Sequence, residues 1–224
     1  SRSRKIARAL VKVLKAAGVS FGIIGTDESC CSESGRKIGG EDVFQSLAAG
    51  NVKLFEEKGV KKVIVTSPHC LYTFRNEYPE LGAGFEAVHH TELLVELVEQ
   101  GKLKPSRKIE GRIAYHDPCY LGRHMEVFEQ PRRVLDAICT ERVEFSRHGR
   151  NSLCCGGGGG RIWLETPAGE RFGDLRIEDA KSLEANTIAT ACPYCTIMLE
   201  ASNMAMGDES LQIKDIAELV AECL

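Results

Sequence analysis

A chain of 224 residues, 43% of them hydrophobic, is long enough for one large domain or two small ones with a substantial core. Its 29 basic and 32 acidic residues leave a net charge of −3 with no polybasic tail and no acidic block, which argues against nucleic acid as a partner. No apolar run approaches the roughly 20 residues of a membrane-spanning helix and no signal-peptide pattern is present, so the chain reads as cytoplasmic, peripheral to a membrane only through missing segments or partners.

The chain opens inside SRSRKIARALVKVLKAAG, where Ile6, Leu10, Val13 and Leu14 follow helical spacing. A start inside a helix, without methionine, reads as part of a larger protein. VSFGII predicts a strand, EDVFQSLAAGNVKLFEEKG a helix, KKVIVT a strand and TELLVELVEQ a helix; RIAYH, PRRVLDAI, NTIATA, TIMLEAS and IKDIAELVAE continue the alternation. That order predicts an α/β fold with small parallel sheets flanked by helices. The polar stretch GKLKPSRK, followed by Pro118 and Gly122, places an internal boundary near residue 108, dividing the chain into lobes 1–107 and 108–224.

The two halves repeat. Cys30-Cys31 recurs 124 residues later as Cys154-Cys155, and TSPHC, ending at Cys70, recurs 125 residues later as TACPYC, ending at Cys195. FEAVHHTELLVEL and LQIKDIAELVAE share a strand, turn and helix pattern. A repeat of this length means two similar lobes rather than a solenoid. The same offset carried back from Cys119 lands upstream of Ser1, so the first lobe is expected to have a further cysteine there.

Ten cysteines are many for a reducing compartment and too few for a disulfide scaffold, which directs attention to metal or redox chemistry. With Cys139 and Cys223 set aside on apolar helical faces, the second half keeps five thiols, Cys119, Cys154, Cys155, Cys192 and Cys195, one more than a tetrahedral ion takes. In CPYC both sulfurs can face one metal from a turn into a helix starting near Thr196, whose first amides favour thiolate charge. Neighbouring side chains in an extended strand point apart. Gly156, Gly157 and Gly158, the first of five consecutive glycines, free the backbone to turn both Cys154 and Cys155 toward one bulky group and to offer amides to it. A Walker loop is excluded because Arg161 and Ile162 follow the glycines. A linker, a four-thiol zinc site with one bystander, and a catalytic dithiol at CPYC remain alternatives.

HDPCYLGRH, PRRVL, SLCCGGGGGRIW and ACPYCTIML, in this order and spacing, resemble the cysteine-rich CCG domain of the heterodisulfide reductase and iron–sulfur oxidoreductase family. That family includes the catalytic subunit of heterodisulfide reductase and relatives that oxidise glycolate, lactate or glycerol 3-phosphate, or link electron-transfer flavoprotein to quinone. The resemblance implies a non-cubane 4Fe-4S cluster at a loop–helix junction, held by Cys119, Cys154, Cys155, Cys192 and Cys195. Cys154 and Cys155 would be the reactive ligands and His116 and His124 nearby proton or hydrogen-bond donors. It also implies other redox subunits or an upstream ferredoxin-like domain as partners, with electron-transfer flavoprotein, quinone or a disulfide as the other redox partner. The alternatives are a disulfide-cleaving catalytic subunit and a zinc-stabilised interaction module.

The first half departs from that pattern. Ser67 stands where the second half has a cysteine, and Ser32 follows Cys31 where a glycine is expected. Serine oxygen is a poor ligand for a soft iron–sulfur site. This half is therefore expected to be empty or to keep a lesser site on Cys30, Cys31 and Cys70, with His69. Asp117 before Pro118 reads as a helix N-cap, and His89-His90 as residues at a helix start. Arg123, Arg132, Arg133 and Arg161 read either as balancing cluster charge or as a solvated face. Cys139 and Cys223 read as core cysteines on apolar helical faces.

Overall fold

A computed structural model describes residues 3–167 and 169–224. Helix α1 (Arg4–Ala16) buries Ile6, Leu10, Val13 and Leu14, the stripe its spacing predicts; residues 1 and 2 of the expected helix lie outside the described ones. There follow α2 (Glu33–Lys37), α3 (Glu41–Glu57), β1 (Lys62–Val65), α4 (Pro68–Tyr72), β2 (Glu86–His89) and α5 (His90–Glu99). The second half runs β3 (Ile109–His116), α6 (Glu129–Ile138), β4 (Cys139–Glu144), α7 (Phe172–Ser182), β5 (Thr187–Thr190), α8 (Pro193–Ala205), β6 (Gln212–Asp215) and α9 (Ile216–Glu222).

Strands β1 and β2 pair in parallel, and β4-β3-β5-β6 form a second sheet, parallel throughout. All four residues of β5 are buried, as a central strand covered on both faces requires. From β3 the chain moves outward to β4, then back across to β5 and β6. This reversal puts the topological switch point at the carboxyl ends of β3 and β5, the usual ligand position in such sheets.

The repeat is visible in three dimensions. β1-α4 and β5-α8 are each a strand, a capping residue and a helix beginning with proline. His89 caps α5 and Asp215 caps α9, each in a capping box closed by Glu92 or Glu218. One core runs through both halves, with α1 against α9 and α5 against α6.

Three local expectations are corrected. VSFGII is not a strand: its counterpart is β4, which pairs with β3, and no counterpart of β3 lies among the described residues of the first half. Without an edge to join, the segment loops over the surface and leaves Ile23 exposed. The helix after CPYC starts at Pro193 rather than near Thr196, because proline with its fixed φ suits the first helical position. Cys139 opens β4 instead of lying on a helix, yet both it and Cys223 are buried.

Candidate metal centre

Each cysteine of the second half is placed by a feature of the local sequence. Cys119 follows Pro118 just beyond the end of β3 and leads a single π-helical turn, Tyr120–His124. Cys192 and Cys195 follow β5, one as N-cap of α8 and the other within its first turn. They lie with Cys119 at the ends of the two adjacent strands. Cys154 and Cys155 come in from the loop after β4. That loop is tied to the Cys119 turn by Ser152, whose hydroxyl donates to the Asp117 carbonyl at 3.2 Å, and by Arg123, which donates to the Ser152 carbonyl at 2.7 Å.

The five thiols form a chain of contacts, from Cys119 to Cys154 to Cys155 to Cys195 to Cys192. Cys155, Cys192 and Cys195 are buried against Met198 and Tyr194. Gly156 has φ of +88°, so its amide turns back to donate to the Cys154 sulfur at 3.3 Å, which brings the adjacent thiols to one side. A Cβ on Gly157 would stand 2.9 Å from Cγ of Met198 and 3.8 Å from the Cys155 sulfur. The glycine run is thus a close-fitting wall of the thiol site.

Charge is unevenly distributed among the thiols. Contacts from Cys119 and Cys155, with the Gly156 amide, pull Cys154 strongly toward thiolate. Burial opposes ionisation of Cys192, but Cys195 and His69 outweigh it and lower it to about 5. Cys119, Cys155 and Cys195 are pushed up by neighbouring thiolates and burial.

Among the described residues, His116, Cys155 and Cys195 bring ligand atoms within 4.8 Å of one another. His116 is buried, and neither of its ring nitrogens has a hydrogen-bond partner among the described residues. Burial, then the charge of Arg176, lowers it to about 3, so it faces the sulfurs as a neutral imidazole. Five thiols, an orphaned imidazole and a glycine wall fit a multi-atom thiolate-bound group better than a dry core.

Other expected residues sit elsewhere. His124 is exposed, and its described contacts are with the rings of Tyr120 and Tyr72. Asp117 is not a helix cap. It forms a buried bidentate pair with Arg132 at 2.7 and 2.9 Å and accepts the Gly149 amide at 2.8 Å. Arg132 is thereby committed to Asp117 and Glu144 rather than to solvent or to the thiols. Arg133 pairs with Glu99, and Arg161 reaches the Thr166 hydroxyl. Behind the thiols lies Arg176, fully buried, donating to the carbonyls of Arg147 and Leu153, 3.5 Å from the Asp179 carboxylate and with its guanidinium over Phe145.

In the first half Ser32 keeps the left-handed conformation of Gly156, with φ of +62°, and its amide meets the Cys30 sulfur at 3.3 Å as Gly156 meets Cys154. Cys31 and Cys70 lie with sulfurs 3.2 Å apart. Cys30, Cys31 and Cys70 form a chain of thiol contacts, but His69 turns away from them to the other half. Its Nδ1 is 3.2 Å from the buried Glu33 carboxylate, and its ring contacts the Cys192 thiol. Burial opposes protonation of His69, but Cys192 and Glu33 together raise it to about 9. The turn-conserving Ser32 gave no sign of this in sequence, and neither did the His69 crossing. Arg176 did leave a trace: it shares the buried stripe of Gly173, Ile177 and Ala180 on α7.

The model of the cysteine-rich domain family matches residues 1–75 and 113–200. The chain is 40% identical over 227 residues to the EtfAB:quinone oxidoreductase of Syntrophomonas wolfei, across 98% of this chain and 32% of that protein. It is 41% identical over 224 residues to the probable iron-sulfur-binding oxidoreductase FadF of Bacillus subtilis, across 99% of this chain and 32% of that protein. It is also 35% identical to a dihydromethanophenazine:CoB–CoM heterodisulfide reductase polypeptide of Methanosarcina barkeri, across 98% of this chain and 55% of that one. The chain therefore spans about a third of the first two relatives and about half of the third. By its cysteine and glycine pattern and by similarity along nearly its whole length, this chain belongs to the cysteine-rich CCG domain family.

Proposed function

We propose that this chain is the cluster-carrying unit of an iron–sulfur electron-transfer oxidoreductase. Cys119, Cys154, Cys155, Cys192 and Cys195 would hold one non-cubane 4Fe-4S cluster in the second half, and the first half would carry none. The reading is supported by five thiols from three separate segments in one chain of contacts, three of them buried, beside His116, which has no hydrogen-bond partner among the described residues. When bound, such a cluster supplies one-electron redox chemistry at a potential set by charge, hydrogen bonds and burial.

The chain's own groups serve that chemistry in separate ways. Arg176 offsets thiolate charge from behind, and the Gly156 amide donates to the Cys154 sulfur. The Asp117–Arg132 pair fixes the turn that carries Cys119. Residues 1–107 and 108–224 would act as two lobes of one duplicated unit. Electrons would pass between a flavoprotein or a cubane-cluster chain and quinone, as the name of the Syntrophomonas relative suggests. The heterodisulfide reductase relative supports a second reading, in which a disulfide is cleaved at the cluster. Among the described residues no helix is long and apolar enough to cross a membrane, so contact with one would be peripheral or through other segments.

Anaerobic iron and sulfide analysis with a visible spectrum tests this. About four irons and four sulfides per chain are expected in the wild type and in Cys70→Ser, with loss in Cys155→Ser. Loss of a whole cluster's iron in Cys70→Ser would instead place a cluster in the first half. Zinc near one per chain with no visible band would overturn the redox reading. Thiol product from a reduced chain mixed with a disulfide separates the second reading from the first.

A further inference from the structure

Two cysteines of the first half face each other across 3.2 Å, the Cys31 thiol donating to the Cys70 sulfur. Each is held from its own side. Tyr78, wholly buried, donates its hydroxyl to the Cys31 carbonyl at 3.2 Å, and Asn51 donates to the Cys30 carbonyl and to the Tyr78 hydroxyl, both at 3.0 Å. Cys70 is fixed by α4, which starts at Pro68 and is closed by the Leu71 amide on the Ser67 carbonyl at 3.0 Å. The left-handed turn at Ser32 brings its amide to the Cys30 sulfur, while the Cys31 sulfur meets Cys70. Cys31 is buried, Cys70 half-buried and Cys30 exposed.

The pair lacks the rest of a metal shell. Ser67 stands where the second half has Cys192, and among the described residues no group of three close ligand atoms includes Cys31 or Cys70. Two thiols in contact without a third ligand are set up for thiol–disulfide exchange. Cys70 accepts the hydrogen bond, which favours its thiolate, and it is the more accessible of the two. Its thiolate attacks one sulfur of a small disulfide and breaks that S–S bond, leaving a mixed disulfide on Cys70 and releasing one thiolate that takes up the Cys70 proton. Cys31 then gives up its proton and attacks the Cys70 sulfur, forming the Cys31–Cys70 bond and expelling the second thiol. The protein sulfurs lose two electrons, the reagent sulfurs gain them, and both protons leave on the products.

We propose that Cys31 and Cys70 form a reversible dithiol–disulfide site that exchanges with low-molecular-weight disulfides. The site uses no metal and is independent of the iron–sulfur reading above. It gives the first half a chemistry of its own, a two-electron couple where the thiol set is incomplete. Its bond ties the turn before α2 to α4 and leaves Cys30 as a free thiol at the surface.

The test equilibrates the wild type, Cys30→Ser, Cys31→Ser and Cys70→Ser anaerobically with mixtures of reduced and oxidised glutathione, blocks the remaining thiols and maps linked peptides by mass. Trypsin leaves Cys30 and Cys31 on residues 16–36 and Cys70 on residues 63–75, so links among the second-half cysteines fall on other peptides. These two peptides should be joined in the wild type and in Cys30→Ser, and separate in Cys31→Ser and Cys70→Ser. Because the fold holds the sulfurs in contact, we expect the bond to form about tenfold more readily in the folded chain than in urea at the same glutathione ratio. Absence of the link from the folded wild type in fully oxidised glutathione would overturn the proposal, as would equal formation in folded and unfolded chains. A link kept in Cys31→Ser and lost in Cys30→Ser would assign the exchange to Cys30 and overturn it too. Loss of bound iron in Cys70→Ser would make the pair metal ligands, with the same consequence.

Discussion

Cys154 and Cys192 are drawn toward thiolate while Cys119, Cys155 and Cys195 are held as thiols, because adjacent buried charges of one sign cannot all be accommodated. A metal that binds four thiolates must therefore displace protons from at least two of the second set. Adding zinc to the reduced, metal-free chain at pH 7 in weak buffer should release about two protons per ion bound, and affinity should fall as pH falls. Release of less than one proton would mean the thiols are already ionised. The identity of these cysteines and of the glycine wall was legible in sequence, since spacing and the need for a tight backbone turn are local properties. Arg176 and His69 were harder to read. Arg176 contributes through burial behind the site, and His69 meets Cys192 across 123 residues of chain, a pairing with no local pattern.

Short apolar runs predicted β1, β3 and β5, and helical spacing predicted α5, α6 and α8, because each is covered by the core along much of its length; the short α4 after β1 was not predicted. VSFGII is similarly apolar but has no neighbouring strand among the described residues, and composition alone cannot report a missing partner. The helix starts were partly legible. The repeat aligns His89 with Asp215, and both turn out to be N-caps. A histidine can cap in this way only while neutral, since its Nδ1 must accept from Thr91. Burial, followed by the neighbouring His90, holds His89 well below its ordinary value. Its pKa is lower folded than unfolded, so the stability it contributes is present above about pH 6.5 and is lost as pH falls toward the folded value. Melting temperature should decline more steeply between pH 6.5 and 5 in the wild type than in His89→Asn, which caps without titrating. Equal slopes would assign the acid sensitivity to other groups.

At the scale of the molecule, the repeated halves share more than a sequence pattern. The His90 ring meets Asp215 at 3.2 Å with both side chains wholly buried, so a residue of the first half touches the cap of the last helix of the second. Lys12 on α1 donates to the Ala221 carbonyl at the end of α9, and Ser106 donates its amide to the Cys223 carbonyl at 2.7 Å. Leu14 on α1 lies in the same buried cluster as Leu219 and Val220 on α9. A core continuous across the boundary makes unfolding one cooperative event, because neither half can lose its packing without exposing the other's. The sole tryptophan, Trp163, lies in the second half beside Tyr194, so its fluorescence reports from the loop that carries it. Leu14→Ala in the first half should cost about 2–5 kcal/mol as a cavity in a buried cluster. In urea unfolding we expect the Trp163 transition and the helical circular dichroism transition to move together to lower urea, with the slope unchanged. A Trp163 midpoint that stays in place while the helical signal shifts would mean that the halves unfold separately.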